Sequence, residues 1–580
     1  MKYIGIDIGD GESAVTAVEA EGAMLPVVLT LGSKQSIRSI VGMLKGSPVI
    51  GDKVMLDRGV TDRCSRFKSR FLTDAGSHEY IRRFAVRLQQ LAAQSVHDTE
   101  VKIALGCPAA WKQEDREEYA RIVSSAGFKN LYVVSESRAA FLYARHCNEL
   151  QLSPESLRRP TLVIDIGSST TDYAYIVDGR ERDMGVFGEE CLGGGILDEL
   201  ILEYAIEKCP QRERIEKVFA ENPSWKSYCE IHARELKEEY FTHEDMWQEE
   251  PCCKHPTIHV DANTSYTIRI PLSGGIMNQL LDKPVEKLKG LSFRQAVYAT
   301  LNNAKKLTQE HPVELLIITG GASRMKFFRD ACSEVFPNAN PAICNEPEFS
   351  IARGLGIAAR TDDMLNRFRT SIADYFDSGA IHNEVSLQLP HLLLKYVPEV
   401  ADILSKAGVA AAILNYPGNV MNSAQVDAYV NDTIADVLKN HHKMNNANKV
   451  VDAWVGDKLK GVQAKLDELC ERYCIDKADM SLVKMRANVP MNAIHVPLGI
   501  RVLVMLRNVP GLRSLIKWTQ ELPNFITNGD TLMERSLRKR LSEELSDPKG
   551  AFAKDLADQL VHELQQQIND QTEKVEIQIQ

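Results

Sequence analysis

The stretch Leu162–Asp172, LVIDIGSSTTD, decides the fold. An apolar strand ends in Asp165, a turn of small residues follows, and a second strand, YAYIV, resumes after Asp172. This order predicts a β-hairpin whose tight turn presents backbone N–H groups to a phosphate. A carboxylate at the end of such a strand is suited to hold a hydrated metal ion. A polar turn between two buried strands gives the same pattern, so the stretch alone leaves both interpretations open.

A second copy of this design begins the chain. The strand Tyr3–Asp7 ends in an aspartate, Gly9-Asp10-Gly11 forms a turn, and the strand Ser13–Ala20 follows. Two such hairpins predict two similar lobes that face each other and clamp phosphates between their turns. Small residues suit both turns, since bulky side chains would keep the backbone amides away from phosphate oxygens. The spacing matches neither a P-loop nor a dinucleotide-binding GxGxxG turn.

The composition limits the functional classes. With 580 residues, 44% hydrophobic and 26% charged, the chain resembles a globular protein of at least two domains. A net charge of −10 without a long basic run disfavours a nucleic-acid partner. The twelve cysteines form no CxxC pair, which favours a reduced, cytoplasmic chain. The N-terminus is typical of a strand, and the apolar stretch Ile494–Leu506 is short and carries Arg501, so no transmembrane segment is expected.

Single residues between the hairpins allow two interpretations each. The charge of Lys68 alone favours a solvated surface lysine, and Glu136 is either a first-turn helix acid or a site carboxylate. The run Gly193–Gly195 before a helix is an anion site or a flexible loop. The pair Gly320-Gly321 lets a flat group approach the backbone, but in isolation an ordinary βα turn is preferred.

Taken in order, these units resemble the actin, hexokinase and heat-shock-chaperone superfamily, and most of all the ATPase domain of the seventy-kilodalton (DnaK-like) heat-shock proteins. The resemblance covers roughly residues 1–361. The matching stretches are Ile4–Val15, Ala104–Glu117, Val133–Ala144, Val163–Asp172, Gly188–Glu199, Thr319–Met325 and Asn345–Ala359. It implies an α/β fold, an actin-like two-lobed ATPase with duplicated RNase H-like subdomains, with lobe I at about 1–160 and lobe II at about 161–361. The implied cofactors are ATP or ADP and Mg²⁺.

The resemblance also implies roles for individual residues. Asp7 and Asp165 would hold Mg²⁺ through its waters. Catalytic roles fall to Lys68, Glu136, Asp165, Thr170 and Asp172. Nucleotide contacts fall to Gly9, Asp10, Gly11, Gly167, Ser168, Ser169, Gly193, Gly194, Lys237, Gly320, Gly321 and Arg324. Lys68 matches a lysine near the γ-phosphate, which reverses the preference for a surface lysine. Glu136 would order the metal waters, and Thr170 and Asp172 would line the path of the attacking water. Lys237 would reach the ribose side, and Gly320, Gly321 and Arg324 would form the adenosine pocket. Catalysis would then rest on positioning and charge neutralisation.

The chain departs from the family's pattern at several site positions. Asp10 replaces a threonine in the first turn and adds a negative charge close to the phosphates, so hydrolysis is expected to be slow. Other departures are Ser168 and Ser169 for glycines, Glu238 for an arginine that often stacks on adenine, Arg234 for a glutamate, and Ala322 for a serine. These changes predict weak hydrolysis or an altered base preference.

Residues 362–580 do not follow the family, because the pattern of a peptide-binding β-sandwich is absent. Apolar residues at helical spacing predict an all-α domain instead. The predicted helical stretches are Asp362–Asp377, Leu394–Leu414, Ser423–His442, Val450–Cys474 and Ala551–Asp570, and Ile500–Val509 is either a helix or a strand.

The leading functional hypothesis is an ATP-driven switch of the chaperone type that acts on a protein client through the helical domain. A J-domain protein or a nucleotide-exchange factor would be its partner. An actin-like filament or scaffold protein is the alternative. A small-molecule kinase is a third hypothesis, although no acceptor motif is recognisable.

Overall fold

The structure is a computed structural model. It describes residues 1–20, 25–57, 59–96, 100–147, 159–177, 180–182, 184, 188–189, 191–247, 251–260, 264–414, 454, 457–473, 475–482, 535, 538–539, 542–543, 546 and 551–579. The chain divides into two compact units, Met1–Asp363 and Met364–Ile579. The division falls within the helix Ser350–Asp377.

The first sheet of the first unit is built on the N-terminal hairpin. Its strands are β1 (Lys2–Ile8), β2 (Glu12–Glu19), β3 (Val27–Val28), β4 (Ser36–Arg38), β8 (Val101–Cys107) and β9 (Leu131–Ser135). The order is β3-β2-β1-β8-β9, with β1 antiparallel to β2 and parallel to β8. A small antiparallel sheet of β5 (Ile40–Leu44), β6 (Ser47–Ile50) and β7 (Thr61–Ser65) follows in the chain.

The second sheet repeats this connectivity around the central hairpin. Its strands are β10 (Thr161–Ile166), β11 (Thr171–Val177), β12 (Arg180–Arg182), β13 (Gly188–Glu189), β18 (Leu315–Thr319) and β19 (Asn340–Ile343). The order is β12-β11-β10-β18-β19, again with one antiparallel hairpin followed by two parallel strands. Both hairpins therefore lie at equivalent places in their sheets.

Helices and short strands complete the first unit. Helices of the N-terminal half are α1 (Asp52–Leu56), α2 (Gly76–Ala92), α3 (Gln113–Ser125) and α4 (Glu136–His146). Those after β10 are α5 (Gly194–Glu207), α6 (Arg212–Glu221), α7 (Pro223–Thr242), α8 (Gly274–Leu281), α9 (Phe293–Leu307), α10 (Lys326–Val335) and α11 (Ser350–Asp377). Two short pairs join Cys252–Lys254 (β14) to Ile270–Leu272 (β17) and Thr257–His259 (β15) to Ser265–Thr267 (β16).

Helices α4 and α11 lie between the two sheets. On α4, Ala139 and Leu142 belong to the apolar cluster of the first sheet, whereas Ala140 and Phe141 belong to the cluster of the second. The helix is buried on both sides, which explains why its sequence lacks a polar face. The two sheets, each with its hairpin, thus pack against the same helix.

The second unit consists of helices in its described part. These are α12 (Ala380–Leu414), α13 (Lys460–Arg472) and α14 (Ala551–Ile579), besides the end of α11. The predicted helices at Leu394–Leu414 and Ala551–Asp570 are present. Val450–Cys474 is only partly described, and Ser423–His442, Ile494–Leu506 and Ile500–Val509 lie outside the described residues. Among the helices described, none combines the length and apolarity that a membrane crossing needs.

Gly354 provides a test of the layer between the sheets. A Cβ atom at this position would lie 1.8 Å from the carbonyl oxygen of Ala139 on α4. We therefore expect Gly354→Ala to destabilise the protein by about 1–3 kcal/mol, because the two helices must move apart. Urea unfolding measures the change.

Gly275→Ala is the matched control. It adds the same methyl group to a helical glycine that has no heavy atom within 4 Å of the place a Cβ would occupy. Its stability should stay the same or rise slightly, since alanine favours helix. Equal stabilities for the two variants would contradict the close contact between α4 and α11.

Candidate functional site

The two hairpin turns lie on one cavity of about 650 Å³ within the first unit. Small-molecule sites typically have about 300–1,000 Å³. The cavity is lined by both turns, by the loop after β7, by α7 and by the turn after β18.

Nearly every predicted site residue lies on this cavity. The lining includes Asp7, Gly9, Asp10, Gly11, Lys68, Glu136, Asp165, Gly167, Ser168, Ser169, Thr170, Asp172, Gly194, Lys237, Gly320, Gly321 and Arg324. Gly193 is the exception: it packs behind the second turn, where a Cβ would lie 2.6 Å from the carbonyl of Ser168.

The same hydrogen bond closes both turns. The amide of Gly9 donates to the carbonyl of Glu12 at 3.2 Å, and that of Gly167 to the carbonyl of Thr170 at 3.0 Å. Within the described part of the chain, no hydrogen bond uses the amides of the two residues that follow each glycine, which are Asp10, Gly11, Ser168 and Ser169. These amides line a concave backbone, which is the arrangement that binds phosphate oxygens.

The glycine run before α5 supports the second turn. The amide of Gly194 donates to the carbonyl of Gly167 at 3.0 Å, and that of Gly195 to the carbonyl of Ser168 at 2.6 Å. Thr171 Oγ1 holds the residue that precedes the glycine run by donating to the carbonyl of Leu192 at 2.6 Å. The run is therefore an ordered support, and two of its amides are used in holding the turn.

Three buried carboxylates converge in the cavity. Glu136, Asp165 and Asp172 are 7%, 5% and 5% exposed, and one oxygen from each lies within 4.8 Å of the others. Asp165 and Asp172 face each other across the hairpin, and Glu136 is the first residue of α4. Such a group of oxygen ligands suits a hard divalent cation. The sequence predicted Asp7 with Asp165, whereas the tightest group of carboxylates joins Asp165 to Glu136 and Asp172.

One atom of this group indicates where a cation fits. Asp165 Oδ1 is buried and, among the described residues, has no hydrogen-bond partner. A buried carboxylate oxygen without a partner is costly. Gly320, with φ of 85°, lies against the same atom, because a Cβ there would come within 2.4 Å of Oδ1. The donor set therefore fits Mg²⁺.

Burial and the charges of neighbouring carboxylates shift Asp7 and Asp165 toward their protonated forms. Burial raises the pKa of Asp7 to about 7, with Lys68 opposing the shift and Glu136 adding to it. The pKa of Asp165 is also raised, first by burial and then by the charges of Glu136, Asp172 and Asp7. An additional positive charge would reverse both shifts.

Lys68 is the cation that the chain itself places among these acids. It is 5% exposed, forms an ion pair with Glu136, and donates to the carbonyl of Gly106 at 3.2 Å. Burial acts to lower its pKa, but Glu136, Tyr119 and Asp7 outweigh burial and raise it. The ammonium is thus charged and directed inward, unlike the solvated lysine that its charge alone suggested.

Helix α7 brings a cluster of charges to the opposite wall. Lys237 pairs with Asp198 at 2.6 Å and donates to the carbonyl of Gly194 at 2.8 Å. Arg234 pairs with Glu238 at 2.6 Å, and its guanidinium lies against the first turn, where a Cβ added to Gly11 would be 2.9 Å from it. The two departures from the family at 234 and 238 therefore form one ion pair.

The wall near Gly320 and Gly321 also carries an ion pair. Arg324 donates to both carboxylate oxygens of Glu348 at 2.9 Å.

Two arginines near the cavity were not predicted from the sequence. Arg66 pairs with Glu199 and donates to the carbonyl of Gly195 at 3.0 Å, which links the loop of Lys68 to the second lobe. Arg38 pairs with Glu235 of α7 at 2.6 Å. Only the nearness of Arg66 to Lys68 in the sequence signalled a role, since these contacts join residues far apart in the chain.

The comparison with known families agrees with this geometry. The model of a family described as Hsp70 protein matches residues 81–363. The search of curated proteins gave no match. The chain carries an Hsp70-like ATPase domain, and the resemblance inferred from its motifs is confirmed. Its mixed sheets and helices fit the α/β fold of these ATPases.

The family indicates the general activity. Its members are chaperone-type ATP-binding proteins and ATPases, whose ATPase domains generally bind ATP or ADP with Mg²⁺. They generally work with client proteins and co-chaperones. The matched range begins after the first hairpin and Lys68, so the assignment of those residues to the site rests on their place around the cavity.

The raised pKa of Asp7 predicts a pH-dependent stability. The pKa of Asp7 is about 7 in the folded protein and 3.8 ordinarily. Between these two pH values Asp7 is therefore protonated in the folded protein but ionised in the unfolded chain. The stabilisation is therefore present at low pH and is lost as the pH rises toward 7. We expect Asp7→Asn, which mimics the protonated acid, to gain stability relative to wild type as the pH rises from about 5 to about 8 in metal-free protein.

Glu79→Gln is the control. The pKa of Glu79 is lowered to about 2, mainly by a hydrogen bond from Arg82. The effect of Glu79→Gln on stability should therefore be constant over the same pH range. Urea unfolding at several pH values measures both differences. A stability difference for Asp7→Asn that does not change with pH would show that Asp7 is ionised throughout.

Proposed function

We propose that the chain binds ATP with Mg²⁺ in this cavity, hydrolyses it slowly, and uses the change as a chaperone-type switch on a protein client. The observation that carries this proposal is the convergence of two phosphate-type turns, a buried lysine and a carboxylate group on one cavity. The matched family supports the same conclusion.

We further assign residues 1–361 to the ATPase domain and residues 362–580 to a separate helical domain. The shared strand order of the two sheets supports a duplicated pair of RNase H-like subdomains. The compact unit Met1–Asp363 supports the domain boundary.

Asp165, Glu136 and Asp172, with Asp7 beside them, would hold Mg²⁺ directly or through its waters. The ion would neutralise charge on the phosphates and on these acids. The free amides of the two turns would bind phosphate oxygens, and the ammonium of Lys68 would add positive charge where negative charge develops.

Thr170 and Asp172 are suited to orient the attacking water. Thr170 Oγ1 donates to Asp172 Oδ2 at 2.8 Å, so its lone pairs point away from that bond and accept a hydrogen bond from water. Asp172 then fixes the direction of the hydroxyl. Positioning of this kind is the main protein contribution in phosphoryl transfer.

Lys237 would lie on the ribose side, and Gly320, Gly321 and Arg324 would form the adenosine pocket. Arg234 and Glu238 neutralise each other on this wall, which supports a changed contact with the base.

The helical domain would carry the client or a co-chaperone. A cytoplasmic location is proposed because the cysteines that the structure describes are free thiols.

Asp165→Asn is the central test of this function. The substitution removes one negative charge from the group and replaces one of the two ligand oxygens of Asp165 with an NH₂ group, which cannot bind a cation. We expect Mg²⁺-dependent ATP hydrolysis to fall by at least about 100-fold, a loss typical of removing a charged group that stabilises the transition state. Steady-state phosphate release measures the rate.

Asp57→Asn is the control, because Asp57 accepts a hydrogen bond from Gly59 outside the cavity. Its turnover should equal that of wild type. Equal turnover in wild type and Asp165→Asn would refute the assignment. Sedimentation with and without ATP separates a switch from the filament alternative, since only a filament would pellet with ATP.

A further inference from the structure

The loop that carries Lys68 has no regular secondary structure. Residues 66–75 connect β7 to α2 through turns, and the ammonium of Lys68 reaches into the carboxylate group from this loop. A side chain on irregular backbone is placed only as well as its backbone is held. The contacts that hold the loop therefore decide where the ammonium lies.

Asp10 holds the loop from the first turn. Its Oδ1 accepts a hydrogen bond from the backbone amide of Lys68 at 2.8 Å, and its Oδ2 accepts one from the amide of Ser69 at 3.1 Å. Hydrogen bonds to an ionised carboxylate are stronger than neutral ones. The carboxylate of Asp10, which lines the cavity, is thus bonded to two backbone amides of the Lys68 loop.

Arg66 holds the same loop from the second lobe. Its guanidinium donates to the carbonyl of Gly195 at 3.0 Å, and the amide of Gly195 in turn donates to Ser168 in the second turn. Arg66 adopts φ of 52°, a conformation that is unfavourable for an L-residue and persists only when its surroundings impose it. The loop is thus fastened to both turns.

We propose that Asp10 is a positioning residue that holds the Lys68 ammonium between the two turns. This inference rests on the proposed function, because it concerns how the bound phosphates meet Lys68. The competing account is that the charge of Asp10 acts directly on the phosphates by repulsion. The two accounts predict opposite results when Asp10 is changed.

A double-mutant cycle separates the two accounts. We expect Asp10→Ala to weaken Mg²⁺–ATP binding about tenfold, because a misplaced cation loses much of its effect. In a Lys68→Ala background the same substitution should change the dissociation constant less than about twofold, since little remains to be positioned. Isothermal titration with Mg²⁺–ATP measures all four proteins.

Asp10→Asn refines the test. Asparagine keeps one carbonyl oxygen that accepts the amide of Lys68, but its amide group cannot accept the second hydrogen bond. Binding should therefore lie between that of wild type and Asp10→Ala. The proposal is overturned if Asp10→Asn and Asp10→Ala both tighten ATP binding, or if the effect of Asp10→Ala is as large without Lys68 as with it.

Hydrogen exchange in the nucleotide-free protein gives a readout that does not depend on ATP. Peptides that cover residues 66–71 should exchange faster in Asp10→Ala than in wild type. Asp57→Ala is the matched control, because Asp57 accepts the amide of Gly59 at 2.9 Å outside these peptides. Unchanged exchange in Asp10→Ala would overturn the proposal. Absence of ATP binding in wild type would instead refute the proposed function, and the exchange result would still decide whether Asp10 holds the loop.

Discussion

The structure depends on burying several carboxylates around a single lysine. Glu136, Asp165 and Asp172 lie within a few ångströms of each other, and the charge of Asp7 adds to the rise in the pKa of Asp165. In a buried environment this repulsion is strong, and the ammonium of Lys68 compensates for only part of it. Glu136 directly follows β9, Asp165 lies near the end of β10 and Asp172 near the start of β11, so the sheets hold the repelling groups together. Additional positive charge would reduce this repulsion.

The two sheets that position these charged residues repeat one arrangement. Both hairpins occupy the same place in sheets of the same strand order, and both turns are closed by the same hydrogen bond from glycine. Helices α4 and α11 lie between the sheets and touch at Gly354, where even a methyl group does not fit. Close packing at Gly354 therefore leaves these two helices little freedom to move relative to each other.

The departures from the family have become part of the contact network around the site. Asp10 bonds to the loop of Lys68, and Arg234 pairs with Glu238 beside the first turn. Further pairs, such as Arg38 with Glu235 and Arg66 with Glu199, join the lobes across the cleft. At these positions the charged side chain that departs from the family pattern is paired with another residue of the same chain.

The sequence by itself determined the local elements and the list of residues at the site. Alternation of apolar residues and the small-residue turns predicted both hairpins, because strands and tight turns depend on neighbours in the chain. The order of the motifs predicted the ATPase domain. Only the tertiary structure decided that Asp10 bonds to amides 58 and 59 residues away, and that carboxylate oxygens of Glu136, Asp165 and Asp172 lie within 4.8 Å of one another. These facts depend on side-chain directions and on contacts between distant segments, which no local pattern encodes.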